Sequence, residues 1–270
     1  MFGLVAVEIA VTYSRVPPAR LYSVSGSGVG AGFGRALVFL NFPVALAALP
    51  VILLAADRLR RSRLTVAGAV VAAGICSVVF WPGVVDQYDL DARPVNALPA
   101  AGVALAVVLS VAAGLFPERA RIRPAAGVLL VLAIPWLAAD LGFHLDGVPV
   151  LGSIFLTGKV VGVRAAVHLG HHHGMDGVLL TLAGLLLVPL ARRTRTPVLR
   201  LLVSLYLGLE IAYGLANAAQ DEWLEQVAKR GWTTHVIPSV LHPALTPAWL
   251  GIALAAAAFA GFILRPGPAR

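Results

Sequence analysis

Apolar runs of about 20 residues, broken by short polar stretches, repeat along almost the whole chain. Eight segments follow this pattern, at about 1–13, 36–56, 64–85, 96–116, 124–144, 170–190, 199–219 and 245–264. A helix needs about 20 such residues to cross a hydrocarbon core about 30 Å thick. The pattern therefore predicts an all-α integral membrane protein: one transmembrane domain over 1–270, a bundle of about eight helices. The first segment is short, because Met1 to Tyr13 rises only about 20 Å as a helix. It carries Glu8 and lacks a basic leader or small-residue cleavage site, so it is a poor signal peptide, and either the true start lies upstream or the helix is partly re-entrant. Seven full spans plus a partial one is the fallback.

The breaks between spans are of two kinds. DRLRRSR (57–63), PERARIR (117–123), ARRTRTPVLR (191–200) and RPGPAR (265–270) are rich in arginine. They alternate with longer loops that carry acids, histidines, prolines and aromatics. By the positive-inside rule the arginine-rich set is cytoplasmic, which places both termini there. Composition supports this reading: 59% of residues are hydrophobic and 13% charged, against about 25% charged in soluble proteins. The net charge of +8 sits in short loops, where it reports topology and not nucleic-acid binding. Arginine in great excess over lysine, with abundant alanine and glycine, fits a high-GC bacterium and its plasma membrane. The single cysteine, Cys76, leaves no disulfide framework or cysteine metal site.

With that topology all seven histidines fall on the outer side. So do nine of the thirteen acids: Asp86, Asp89, Asp91, Asp140, Asp146, Asp176, Asp221, Glu222 and Glu225. The stretch HLGHHHGMDG (168–177) opens the sixth span. On a helix His168, His172 and Asp176 would share an arc of about 80°, with His171 beside it and His173 further round. Imidazoles at i, i+4 can approach one ion, and a carboxylate a turn deeper can ligate it or orient a histidine. Gly170 and Gly174 leave the helix start open by a turn. The fifth span ends in DLGFHLDG, which places Asp140 and His144 at i, i+4, with Asp146 beyond. Metal ligands expected from this arrangement are His144, His168, His171 and His172, with Asp140 and Asp176 as catalytic carboxylates. Zinc is the first choice of divalent metal, with iron or manganese as alternatives.

The seventh span adds a polar stripe. Tyr206, Glu210, Tyr213, Asn217, Gln220 and Asp221 fall within an arc of about 100°. Glu210 would lie about 16 Å below Asp221, where an ionisable residue normally faces a bundle interior or a water-filled cavity. The stripe reads as the wall of a pocket opening outward, with Glu210 catalytic and the other five binding substrate. Further along, Glu225 and Lys229 form an expected helical pair and Gly231 an expected helix end. Trp223 and Trp232 read as interfacial anchors. The glycine-alternating YSVSGSGVGAGFG (22–34) lacks the spacing and context of a nucleotide-binding loop. It reads as a flexible outer loop folding over the pocket. Asn41, before Pro43, is expected to satisfy a broken backbone bond.

Competing readings are blander. The histidine run could be an interfacial collar bonded to backbone and water, and Glu210 a carboxyl that pins helices together. Asp86, Asp89 and Asp91 read as a solvated loop. HLGHH has the spacing of one membrane-desaturase histidine box, but those enzymes need several boxes on the cytoplasmic side. The H-E-x-x-H, G-K-[ST] and C-x-x-C motifs are absent. The sequence therefore points first to a metal-dependent membrane enzyme, a hydrolase working on membrane lipids or a lipid-like substrate at an outward site. A proton-coupled transporter built on Glu210 is the alternative, followed by a non-catalytic or haem-binding subunit.

Overall fold

The structure, a computed structural model, describes residues 2–15, 25–84, 91–115, 123–134, 136–137, 160–161, 164–165, 173–229 and 231–265. Nine α-helices occur among them: α1 (Phe2–Arg15), α2 (Gly28–Phe39), α3 (Ala45–Leu59), α4 (Arg63–Cys76), α5 (Ala97–Ala112), α6 (Arg123–Leu132), α7 (His173–Arg192), α8 (Pro197–Trp223) and α9 (Pro247–Leu264). A π-helical turn, Leu40–Val44, joins α2 to α3 without a break, and a second, Leu224–Ala228, extends α8. Among the described residues the strand content is one two-residue antiparallel ladder, Val160–Val161 with Arg164–Ala165.

Among the described residues six continuous helical segments are long and apolar enough to cross a membrane: Gly28–Leu59, Arg63–Phe80, Pro94–Ala112, His173–Arg192, Pro197–Ala228 and Pro247–Leu264. They correspond to six of the eight spans expected. The other two expected spans appear as α1, of 14 residues and short of a full crossing, and α6, of which Arg123–Leu132 is described and much of the remainder of the expected span, from 138 onward, lies outside the described residues. Much of the outer surface of the long helices is bare aliphatic side chain, such as Val70, Val107, Val111, Leu201, Leu205, Leu250 and Leu254. Apolar surface of that extent suits lipid rather than water. The fold is thus a helical bundle suited to a membrane.

Hydrophobic burial gives little drive for helix association in lipid, so close backbone approach and interhelical hydrogen bonds carry it. Helix α8 is the hub, packed against α7, α9 and α3, while α3, α4 and α5 form a second group and α1 pairs with α2. Where α7 crosses α8, a Cβ on Gly214 would stand 2.7 Å from the Gly177 carbonyl and 2.6 Å from Thr181 Oγ1. Only glycine permits that approach.

The glycine-rich stretch corrects one expectation. From Gly28 onward it is the first turns of α2 and not a loop. A Cβ on Gly32 would lie 2.1 Å from the Ala10 carbonyl, so the glycine lets α1 lie directly against α2. Glycine in a membrane helix marks a helix contact as often as a flexible turn. Asn41 behaves as its position predicts. Its Nδ2 donates to the Leu37 carbonyl at 2.7 Å and the Val38 carbonyl at 3.3 Å. Pro43 has no N–H to offer the Val38 carbonyl across the π turn.

Arginines close the bundle at one end. Arg58 donates to the Gly114 carbonyl beyond α5, Arg192 to Phe262 and Arg200 to Leu264 in the last turn of α9. Each satisfies a carbonyl that a helix C-terminus leaves without an intrahelical donor. The loops singled out by their arginines, 57–63 and 191–200, therefore lie on one face.

Candidate functional site

At this arginine-bearing end Asp57, 3% exposed, accepts the Arg195 and Thr196 amides, each at 2.9 Å. These amides begin α8, whose Thr196 makes no side-chain cap of its own. A carboxylate from α3 thus holds the positive end of α8.

The opposite end uses the same device in reverse. Asp221, near the end of α8, accepts the Gly174 amide at 2.8 Å, and Asn217 Nδ2 donates to the His173 carbonyl at 2.9 Å. Gly174 and His173 begin α7. Trp136 is fully buried against this junction: a Cβ on Gly174 would overlap its ring, and its indole reaches Asp221. Asp176 lies buried in the first turn of α7, within electrostatic range of Tyr213. Four of the expected site residues, Asp176, Tyr213, Asn217 and Asp221, therefore meet where α7 begins. His173, the last histidine of the run, is part of that junction.

The stripe as a whole is withdrawn from the surface. Asn217, Asp221, Glu210, Gln220 and Tyr213 are all buried, between 0% and 8% exposed. The stripe faces helix contacts in the bundle interior. Tyr206 donates to the Leu46 carbonyl at 2.9 Å. That carbonyl is the one Pro50, four residues on, cannot serve, so the hydroxyl replaces a missing backbone donor. Tyr213 stacks on Trp249 with ring centroids 5.8 Å apart and meets Phe42 edge-on at 6.5 Å. Glu210 sits between Tyr206 and Tyr213 at helical spacing, 13 residues from each end of α8. Neither of its carboxyl oxygens has a hydrogen-bond partner among the described residues.

The expected metal ligands His144, His168, His171 and His172 lie outside the described residues, as do Asp140, Asp146, Asp86 and Asp89. The described part of α7 begins at His173, so the helical face expected to join His168, His172 and Asp176 is described only on its Asp176 side. Among the described residues no three His, Cys, Asp or Glu side chains gather closely enough to hold a metal ion. Asp91 is not simply solvated, since it takes the Ser25 amide at 3.0 Å and also the Ser25 hydroxyl. These bonds hold its carboxyl below the ordinary aspartate range.

Beyond the acids, Trp223 Nε1 donates to the His235 carbonyl at 2.9 Å, folding the 231–246 segment back over α8. Val240 in that segment is buried in the main core. Glu225, 1% exposed, pairs with Lys229 at 2.5 Å, and Gly231 takes φ 79° where the helix stops. Sequence reasoning missed Asp57 and Trp136. An acid isolated among four arginines was the available signal for the first, and nothing local marked the second. No protein-family model matches the chain, and neither a curated protein nor a solved structure matches it.

Proposed function

We propose that the chain is an integral-membrane, metal-dependent enzyme of a bacterial plasma membrane, a hydrolase acting on a lipid-like substrate at the face where its histidines gather. The observation that carries this reading is the burial of Asp176 and Asp221 at the start of α7, directly after the histidine run and beside Asn217 and Tyr213. His168, His171 and His172 lead covalently into that junction. With His144 they would supply nitrogen ligands for one divalent ion, zinc in first place. Such an ion lowers the pKa of bound water to near 7.

The chain's own groups have separable tasks. Asp176 and Asp140 are the candidates to orient a histidine or take a proton. Asp221 and Asn217 hold the start of α7, and with it His173, in place. Gln220 and Tyr213 lie on the same stripe of α8 between that junction and Glu210, and Tyr206, beyond Glu210, is engaged by the Leu46 carbonyl. Bare aliphatic surface on either side gives a lipid lateral access.

Eight crossings with both termini in the cytoplasm complete the proposal. It is supported by the meeting of Arg58, Arg192 and Arg200 with helix C-termini at one face, opposite the start of α7. The test is hydrolysis of phospholipid or prenyl-phosphate vesicles by reconstituted protein. Activity that a chelator removes and zinc restores supports the reading. Activity indifferent to chelation, or none with any lipid, refutes it.

Glu210 favours a second reading, a carrier whose transported proton resides on that carboxyl. A carboxyl buried midway along a spanning helix, with no partner among the described residues, is the usual mark of a proton or ion path. Flux across liposomes that responds to a pH gradient and is lost in Glu210→Gln would establish it.

A further inference from the structure

At the arginine-bearing end, two loops far apart in sequence become one surface. Residues 57–63 carry four arginines and residues 191–200 carry four more, against a single acid in the two loops together, Asp57. Asp57 is 3% exposed, and its two oxygens accept the Arg195 and Thr196 amides, each at 2.9 Å. The carboxylate thus joins the backbones of the two loops and is withdrawn from the surface, while Arg60, Arg61, Arg63 and Arg195 stay exposed. Solvated protein surfaces usually intersperse both signs of charge. A patch of one sign, held together, calls for a counter-charge from outside.

The backbone beneath these arginines is fixed. Ser62 caps α4 by accepting the Thr65 amide at 3.4 Å, and Thr65 Oγ1 donates to the Ser62 carbonyl at 2.9 Å, which sets the turn that bears Arg60, Arg61 and Arg63. Arg192 and Arg200 anchor the second loop on the end of α9. Keeping arginines on one side of a membrane requires only that each loop be basic. It does not require a buried carboxylate to draw in a loop 138 residues away. Directly beyond the arginines the helix surfaces turn apolar. Leu64, next to Arg63, is 83% exposed and Val198, three residues past Arg195, is 65% exposed, with Leu201 and Leu202 bare further along α8. A ligand that meets both surfaces is anionic at one end and apolar at the other.

We propose that the two loops joined through Asp57 form a binding surface for an anionic phospholipid, its headgroup phosphate on guanidinium groups of both loops and its acyl chains along Leu64, Val198 and Leu201. Guanidinium and phosphate match in bidentate geometry, and basic clusters at the ends of spanning helices draw anionic lipid. The surface needs neither the histidines nor Glu210, so it stands whether or not the metal and carrier readings do.

The test is native mass spectrometry of the full-length protein, delipidated in a non-ionic detergent and titrated with dioleoyl phosphatidylglycerol, with dioleoyl phosphatidylcholine and with glycerol phosphate. The expected result is saturable retention of phosphatidylglycerol about tenfold or more tighter than phosphatidylcholine, with no displacement by equimolar glycerol phosphate. Each arginine beside an anionic headgroup is worth about fivefold in affinity, so Arg195→Gln should weaken binding by about that factor and Arg60→Gln/Arg61→Gln by about 25-fold. Asp57→Ala should weaken it about threefold although it makes the face more positive, because the arginines are no longer held together. His168→Ala/His172→Ala, which removes the proposed metal ligands, should leave it unchanged.

Equal retention of the two lipids would overturn the proposal, as would displacement by glycerol phosphate, which would mark a site for a soluble anion. Tighter binding by Asp57→Ala would overturn it as well, since the face would then act by charge alone. Should Asp57→Ala fail to fold, the variants at exposed arginines decide: weakening in both Arg60→Gln/Arg61→Gln and Arg195→Gln supports the proposal, and unchanged affinity in either overturns it.

Discussion

Tyr206→Phe isolates a single interhelical hydrogen bond whose reason for existing is visible in the backbone. The substitution removes one oxygen and keeps the ring. It leaves the Leu46 carbonyl, now bonded at 2.9 Å, with no donor, because Pro50 has no N–H. Interhelical side-chain bonds in membranes average about 0.6 kcal/mol and reach about 1.7. Orphaning a buried acceptor belongs to the upper part of that range, so the expected loss is about 1–1.5 kcal/mol. Pro50→Ala supplies the missing N–H from within α3. In that background Tyr206→Phe should cost only a few tenths of a kcal/mol, a coupling of about 1 kcal/mol between residues on different helices. Reversible unfolding in mixed detergent micelles, followed by circular dichroism, measures all four corners of the cycle. An equal cost for Tyr206→Phe in both backgrounds would show that the hydroxyl does not stand in for the proline's missing donor.

Three further outcomes follow from the same geometry. Gly214→Ala should destabilise the bundle by about 1–3 kcal/mol through overpacking against Gly177 and Thr181, whereas Gly251→Ala, with open space around it, should be near neutral in the same unfolding assay. Asp57→Ala should cost about 1–2 kcal/mol by uncapping α8, and amide exchange should quicken at Arg195 and Thr196 before it does elsewhere. Asp91 is held below its ordinary value of 3.8 by its bonds from Ser25. Its contribution is therefore present in full above that value and is lost as pH falls through the lower folded value. Protection of the Ser25 amide, its exchange rate relative to the intrinsic rate at each pH, should fall on acidification in the wild type, and a protection factor that does not change with pH would contradict the assignment.

Much of the bundle was readable because its rules act locally. A spanning helix must satisfy its own backbone and stay apolar for about 20 residues, so six long spans stand out from hydropathy. Pro43 announced a broken bond, and Asn41 was the nearest side chain able to mend it. Gly231 marked a helix end through its backbone freedom. Glu210 was expected to face inward because lipid would not accept it, and it is buried. What the sequence concealed depends on contacts between distant segments. Gly32 reads as part of a flexible loop until α1 is seen to need its bare backbone. Asp57 looks like one acid in a basic loop until the start of α8, 138 residues on, is placed beside it. Tyr206 was read as a substrate contact, although its hydroxyl is engaged by a proline-freed carbonyl on another helix. Asp221 and Asn217 were likewise read as binding groups, and their position at the start of α7 gives them a structural task at the same place.

The claim that a metal ion stands at the histidine face is tested most directly by counting metal. Elemental analysis of the detergent-purified full-length chain, wild type beside His168→Ala/His172→Ala, with an absorption spectrum of each, requires no knowledge of the substrate. The account predicts about one zinc, iron or manganese per chain in the wild type, lost in the double variant, with no haem band in either. A wild type free of metal, or a double variant that retains it in full, would contradict the account.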